Sequence, residues 1–159
     1  MQDLKEAYKE VMSHWPSGVA ILTSEHKEQC YGMTVSSFTS VSLTPAMISV
    51  CVDKRAQMSE LLQKSQRMAV NILDSRQEAL ALIFADHDLN MSARFAKTQF
   101  KMSALNNPIL EHCLGWLDCQ IRSFHDTGDH LIYVGEVLEA HATESLSPLI
   151  FHRRGFKSF

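Results

Sequence analysis

Gly32-Met33-Thr34-Val35-Ser36-Ser37-Phe38-Thr39-Ser40-Val41-Ser42-Leu43-Thr44-Pro45 is the stretch that decides how this chain reads. It carries hydroxyls at Thr34, Ser36, Ser37, Thr39, Ser40, Ser42 and Thr44, yet lies between two apolar runs, residues 18–23 and 47–52. A buried polar group without a partner costs roughly 1–3 kcal/mol, so hydroxyls this dense beside a core need partners. Two readings meet that need. In one, the stretch is a β-edge whose Thr and Ser side chains face water. In the other, small side chains let a flat ligand approach the backbone, whose N–H groups then bond ring oxygens or a phosphate.

Immediately before the stretch, residues 18–23 read as a buried strand, 24–29 as a polar turn, and 30–33 as the start of a return strand, which makes a hairpin. Residues 38–42 alternate and read as a short strand ended by Pro45, and 47–52 as the next buried strand. Farther upstream, Leu4, Tyr8, Val11, Met12 and Trp15 recur at helical spacing among Lys5, Glu6, Lys9 and Glu10. That spacing predicts an amphipathic helix ending near Pro16-Ser17-Gly18. Downstream, the polar segment 53–57 leads into a short helix over 58–64, followed by a strand over 68–73. Residues 77–84 are helix-like, with Leu80, Ile83 and Phe84 on one face. From 85 to 107 the pattern reads as loop, with one helical turn around 91–95. Two long strands, 113–124 and 131–142, are joined by His125-Asp126-Thr127-Gly128-Asp129-His130, a good hairpin signal. Residues 148–152 read as a last strand before Arg153-Arg154.

About seven strands with few helices argue for a mainly β protein, a closed or nearly closed antiparallel barrel. A doubly wound α/β fold needs a helix between most strands, and GxGxxG is absent. No repeat, low-complexity segment or linker interrupts the 159 residues, so one domain over 1–159 is expected. The net charge of -3 and the lack of a basic run argue against nucleic acid. No apolar run approaches the roughly 20 residues that span a bilayer. The start, Met1-Gln2-Asp3-Leu4-Lys5-Glu6, has no apolar signal core, so a cytoplasmic protein is expected. Cys30, Cys51, Cys113 and Cys119 lack CxxC spacing and read as buried free thiols. His125, Asp126, Asp129 and His130 fall in a tight hairpin whose neighbouring side chains diverge, so no metal site is expected.

Three segments together resemble one family. Gly18-Val19-Ala20-Ile21-Leu22-Thr23 followed by Gly32 to Pro45 is the first. Arg67-Met68-Ala69-Val70-Asn71-Ile72-Leu73 is the second. Gly128-Asp129-His130-Leu131-Ile132-Tyr133-Val134-Gly135-Glu136-Val137, with Pro148-Leu149-Ile150-Phe151 behind it, is the third. Over nearly its whole length the chain is similar to the short-chain flavin reductases, the small components of two-component flavin-dependent monooxygenases. The fold this implies is an FMN-binding split β-barrel, antiparallel and Greek-key-like, with a few peripheral helices, usually a homodimer. The activity it implies is reduction of FMN or FAD by NADH or NADPH, with reduced flavin passing to a partner oxygenase that acts on an aromatic compound. A flavin- or heme-binding barrel without hydride transfer is the alternative.

Hydride transfer between cofactors needs alignment more than acid–base help. By resemblance, Gly32, Met33, Thr34, Ser36 and Ser37 wrap the flavin ring. The turn after the 47–52 strand lies against the ribityl and phosphate, which brings in Cys51, Val52, Asp53, Lys54 and Met58. Here Asp53 stands where relatives often have a neutral residue, and Ala56 and Met58 stand where hydroxyls are usual. Lys54 or Arg55 is then the countercharge, with a solvated turn as the alternative, and the helix start near Met58 favours an anion. Relatives often carry a basic-aromatic pair near the end of the second helix; here Ile83-Phe84 lacks the basic partner, and Arg94-Phe95 supplies an Arg-Phe pair later as the cofactor contact, although Phe84 and Phe95 also suit a core. His130, at the Gly-Asp-His position, is the candidate catalytic residue: a neutral imidazole there hydrogen-bonds the nicotinamide carboxamide without proton transfer. Phe151, His152 and Arg153 follow a terminal strand near the pyridine nucleotide, where Arg153 or Arg154 pairs with its phosphates; a solvated terminus is the competing reading.

Overall fold

The structure is a computed structural model that describes residues 3–144 and 147–157. Met1 and Gln2 of the N-terminal stretch, and the last two residues of the expected domain, lie outside the described residues. In chain order the elements are α1 (Leu4–Ser13), β1 (Ser17–Gly18), β2 (Ala20–His26), β3 (Gln29–Val35), β4 (Thr39–Leu43), β5 (Ala46–Asp53) and α2 (Gln57–Ser65). Then come β6 (Arg67–Ile72), a 3-10 turn (Ser75–Gln77), α3 (Glu78–Ala85), α4 (Met91–Phe95), β7 (Phe100–Met102) and β8 (Pro108–Leu110). Two long strands, β9 (Gly115–Thr127) and β10 (His130–Ala142), precede the short β11 (Ile150–His152) and β12 (Gly155–Lys157).

Seven strands form one antiparallel sheet in the order β3-β2-β6-β9-β10-β5-β4. Its two edge strands, β3 and β4, are consecutive in the chain and are joined by Ser36, Ser37 and Phe38 alone. That connection reaches at most about 14 Å. Laid flat, seven strands would put the two edges about 29 Å apart. The sheet therefore has to roll until its edges approach, and the result is a barrel with a slot between β3 and β4. Ser37 fastens the corner. Its Oγ donates to the Cys51 carbonyl at 2.8 Å and accepts from the Cys51 N–H at 3.2 Å. These backbone groups lie just beyond Ser49, where the pairing of β4 with β5 ends.

The barrel is filled by alternate residues of its strands, among them Leu22, Val50, Val52, Met68, Val70 and Tyr133, and plugged by Met58, Leu61 and Leu62 of α2. Tyr133 on β10 donates its hydroxyl to the Ser59 carbonyl of α2 at 2.7 Å, which locks the plug to the wall. A second core lies outside the barrel. There Val19, Ile21, Leu73, Ala81, Phe84, Phe95 and Leu110 pack under α3 and α4. Because β2 is buried on both faces, its apolar run is continuous rather than alternating.

Several elements depart from the sequence reading. The polar turn expected over 24–29 shrinks to Lys27 and Glu28, both at positive φ (52° and 64°), because β2 runs on to His26. Its polar end is buried with partners from distant segments: Thr23 Oγ1 donates to the Pro108 carbonyl at 2.5 Å and Ser24 Oγ to the Arg67 carbonyl at 2.8 Å. Inside the expected 85–107 loop, β7 starts a hairpin with β8. The long hairpin turns on Gly128-Asp129 alone, with Gly128 at φ 61°, because β9 and β10 extend to Thr127 and His130. β12 returns along β11, so the chain does not simply trail away after His152. Only two thiols match the buried reading: Cys113 and Cys119 are buried, whereas Cys30 and Cys51 are half-buried. Burial pushes the Cys113 and Cys119 thiols up to about 12. Helix α1 has the expected spacing but ends at Ser13, and it buries none of its residues: Leu4, Tyr8 and Val11 stand in solvent, as does Trp15 just beyond it.

Candidate functional site

A cleft of about 890 Å³ opens beside the barrel slot. Three segments wall it. Gln29, Met33 and Thr34 come from the edge strand β3; Asp53, Arg55, Ala56, Gln57 and Met58 come from the turn into α2; the third wall runs from Phe84 to Arg94. Each is placed by the fold just described. β3 is an edge, so its side is open. α2 plugs the barrel, so its N-terminus points outward from the core it fills. The third wall is held by Arg94.

Arg94 is buried, and its guanidinium bonds only backbone carbonyls: Leu89 through Nε at 3.1 Å, Gly32 and Phe84 through one terminal nitrogen at 3.0 and 3.2 Å, and Asp86 through the other at 2.5 Å. It thereby satisfies an edge carbonyl of β3 and orphan carbonyls at and just past the end of α3, which have no helical partners. Burial pulls its pKa below the usual guanidinium value. Its donors are spent on the protein frame, and this shapes the segment 84–90 into a cleft wall.

The turn before α2 is a charge cluster. Asp53 accepts from the Arg55 backbone N–H at 2.8 Å and grips its guanidinium at 3.1 and 2.7 Å. Arg55 holds the Asp53 carboxyl well below the ordinary carboxylate range, so it stays ionised. Lys54 turns the other way, to Asp126 at 2.5 Å and the Gly128 carbonyl at 2.7 Å, and pins the tip of the β9–β10 hairpin. His130 faces Asp53 across the β10–β5 ladder, with Nδ1 at 2.6 Å from the Asp129 carboxylate, and that contact lowers the Asp129 pKa. Ala56 occupies the N-cap of α2 in extended conformation, and no side chain caps the helix.

The residues singled out by sequence divide accordingly. Met33, Thr34, Asp53, Met58, Phe84 and Arg94 line the cleft. Gly32 does not. A Cβ there would fall 2.7 Å from Phe84 Cδ1 and 3.4 Å from Phe95 Cζ, so the missing side chain makes room for rings, and Phe84 and Phe95 pack edge to face at 5.2 Å. Thr34 donates its hydroxyl to the Ala81 carbonyl at 2.6 Å, and Ser37 spends its own on Cys51. Ser36 is exposed beside Ser37. Val52 is a barrel-core residue, and Cys51 points to the outer face. Phe151, His152 and Arg153 gather elsewhere. Phe151 pairs with Ser17 and packs on Phe156, and the Arg153 N–H bonds the Ser13 carbonyl below α1.

The sequence reading missed the cleft wall of His87, Asp88, Leu89, Asn90 and Met91, and it missed Gln29. It had no signal for the wall, because the segment is ordered by a buried arginine rather than by any periodicity. The Asp53–Arg55 pair carried one usable signal: opposite charges two residues apart in a turn. Among the described residues no group of three or more His, Cys, Asp or Glu converges on a point, and no helix is long and apolar enough to cross a membrane.

Comparison with known proteins then gives this arrangement its relatives. The flavin reductase like domain matches residues 12–159. A flavin reductase of Pseudomonas putida is 30% identical over 153 residues, 96% of this chain and 88% of that protein. The reductase component of a 4-hydroxyphenylacetate 3-monooxygenase from Thermus thermophilus is 30% identical, covering 97% and 96% of the two chains. An NADH:FAD oxidoreductase of Streptomyces globisporus, solved in complex with NAD and FAD fragments, superposes with a TM-score of 0.93 at 30% identity, over 100% of this chain and 94% of that one. With a rolled antiparallel sheet, an edge-strand cleft and a match over almost its entire length, the chain belongs to the flavin reductase-like domain family.

Proposed function

We propose that this protein is an NAD(P)H-dependent flavin reductase whose flavin lies in the β3–α2 cleft, phosphate end toward α2, and that it supplies reduced FMN or FAD to a partner monooxygenase. The observation that carries the placement is the N-terminus of α2, which opens into the cleft uncapped beside Arg55. Free amides and the helix dipole at such an end favour an anion. The rest of the lining fits the group as well. Met33 and Leu89 offer apolar surface to a ring system, and about 890 Å³ is ample for one. The bound flavin supplies the electron-accepting chemistry. Of the chain's own residues, Thr34 lines the ring end of the cleft, Ser36 and Ser37 follow it at the corner of the barrel slot, and His130, on the ladder position opposite Asp53, orients the nicotinamide.

The test uses one substitution. Ala56→Asp adds an N-cap side chain, which raises helix stability by about 0.5–2 kcal/mol, and puts a carboxylate where the phosphate is proposed to sit. Wild-type protein oxidises NADH or NADPH steadily with free FMN, followed at the nicotinamide absorbance. The variant melts no lower but binds FMN at least tenfold more weakly. Unchanged FMN affinity in the variant would place the flavin elsewhere, and tight flavin binding without nicotinamide oxidation would favour a non-enzymatic binding protein.

We read the assembly as a homodimer in the cytoplasm. Four free cysteines fit a reducing compartment. The stripe of Leu4, Tyr8 and Val11 on α1, with Trp15 just after it and Leu43 88% exposed on β4, is more apolar surface than a lone subunit normally leaves in water. Sedimentation of the wild type is expected to give twice the chain mass at micromolar concentration, and Tyr8→Glu/Trp15→Glu to shift it toward the monomer. A wild-type monomer that turns over would remove this assembly.

A further inference from the structure

The lysine and the arginine at the α2 end of the cleft already have a carboxylate each: Arg55 is held by Asp53 through two side-chain bonds, and Lys54 by Asp126. The His130 ring lies against the Asp129 carboxylate. Arg94 across the cleft is spent on four carbonyls. A flavin phosphate arriving at α2 therefore meets helix amides but no unpaired positive side chain among Lys54, Arg55 and Arg94. The weakest link is the Asp53–Arg55 pair. The Arg55 side chain is 88% exposed, and exposed pairs hold with little net energy. Asp53 is less exposed and is fixed at the end of β5, so the carboxylate stays while the arginine is free to leave.

We propose that Asp53 sets how tightly this reductase holds the flavin phosphate: its carboxylate competes with the phosphate for Arg55 and repels it, so the flavin exchanges as a substrate instead of staying as a resident group. On phosphate entry the Arg55 guanidinium moves from one oxyanion to the other, and Asp53 is left unpaired beside the new charge. Ion pairing gained at the phosphate is offset by ion pairing lost at Asp53. Such a site releases reduced flavin readily, which suits a protein that hands it to another enzyme. The inference rests on the proposed phosphate position at α2.

Asp53→Asn is the decisive variant, because the amide oxygen still accepts from the Arg55 N–H and the turn keeps its shape. Flavin binding is read from fluorescence quenching on the full chain, with riboflavin as the phosphate-free control. The Asp53→Asn protein is expected to bind FMN at least fivefold more tightly than wild type, with riboflavin affinity within twofold. Adding Arg55→Gln to that variant is expected to cancel the gain. The proposal falls if FMN and riboflavin shift together, or if FMN affinity stays level or drops. Ala56→Asp separates the two ideas. Loss of FMN binding there with no response to Asp53→Asn overturns the role of Asp53 and leaves the phosphate position intact. No response to either substitution overturns both.

Discussion

Arg94→Ala is expected to lower stability by about 3–5 kcal/mol and to weaken flavin binding at least tenfold in whatever protein remains folded. The magnitude follows from what the guanidinium leaves behind. The Gly32 and Phe84 carbonyls it bonds are buried, and a buried polar group stripped of its partner costs roughly 1–3 kcal/mol. The Asp86 and Leu89 carbonyls are nearer the surface and recover water, so they add less. The functional loss has a separate cause. Residues 84–90 form one wall of the cleft, and without the arginine nothing described in the structure ties their carbonyls to β3. Arg94→Lys is the informative control. It keeps the charge but not the fork, since one ammonium does not span three chain segments, so an intermediate loss is expected. Urea unfolding gives the first quantity and flavin titration of the folded protein the second. Wild-type flavin affinity in a stably folded Arg94→Ala protein would show that the wall holds without this clamp.

Gly32→Ala carries the next largest effect. The new Cβ meets Phe84 at a distance real contacts do not reach, and Phe84 is buried with its ring packed edge to face on Phe95. Overpacking of this kind costs roughly 1–3 kcal/mol. It also pushes α3 away from β3, where Thr34 and Ala81 share a hydrogen bond, and so widens the cleft. Gly18→Ala supplies the control, since a Cβ there has nothing within 4 Å. Thermal melts are expected to show a drop at position 32 and none at position 18. Combining Phe84→Leu with Gly32→Ala recovers part of the loss, because the smaller side chain returns the space. If the Gly32→Ala protein melts with the wild type, the ring packing has been misassigned and close approach of a ligand becomes the better reason for the glycine.

These two residues mark the boundary between what the sequence carried and what it did not. Residues 20–23, 47–52 and 131–142 are strands because apolar and β-branched side chains recur in short runs, a local pattern that needs no partner to be read; the expected 18–23 run is split, because Gly18 pairs with Ile150 in a separate sheet and β2 begins only at Ala20. The hairpin at Gly128-Asp129 is equally local. The 24–29 error has the opposite origin. Ser24 and Glu25 look like turn residues, and they are strand residues because Arg67 and Asn106 come to satisfy them. The helix at 4–13 shows a third case. Its amphipathic stripe was legible, but periodicity states only that a face is apolar and says nothing of what covers it.

From the chain alone came the class of fold, the roll of hairpins around Gly32 to Pro45, and the family likeness, since each depends on patterns within a few residues of one another. Only the tertiary structure decided what individual side chains are for. It gave Arg94 to four carbonyls, Gly32 to a phenylalanine, Lys54 to a hairpin tip and Arg55 to Asp53. A donor's partner is whichever acceptor the fold brings within about 3 Å, and that proximity is created by rolling a sheet whose edges are neighbours in sequence and opposite in strand order.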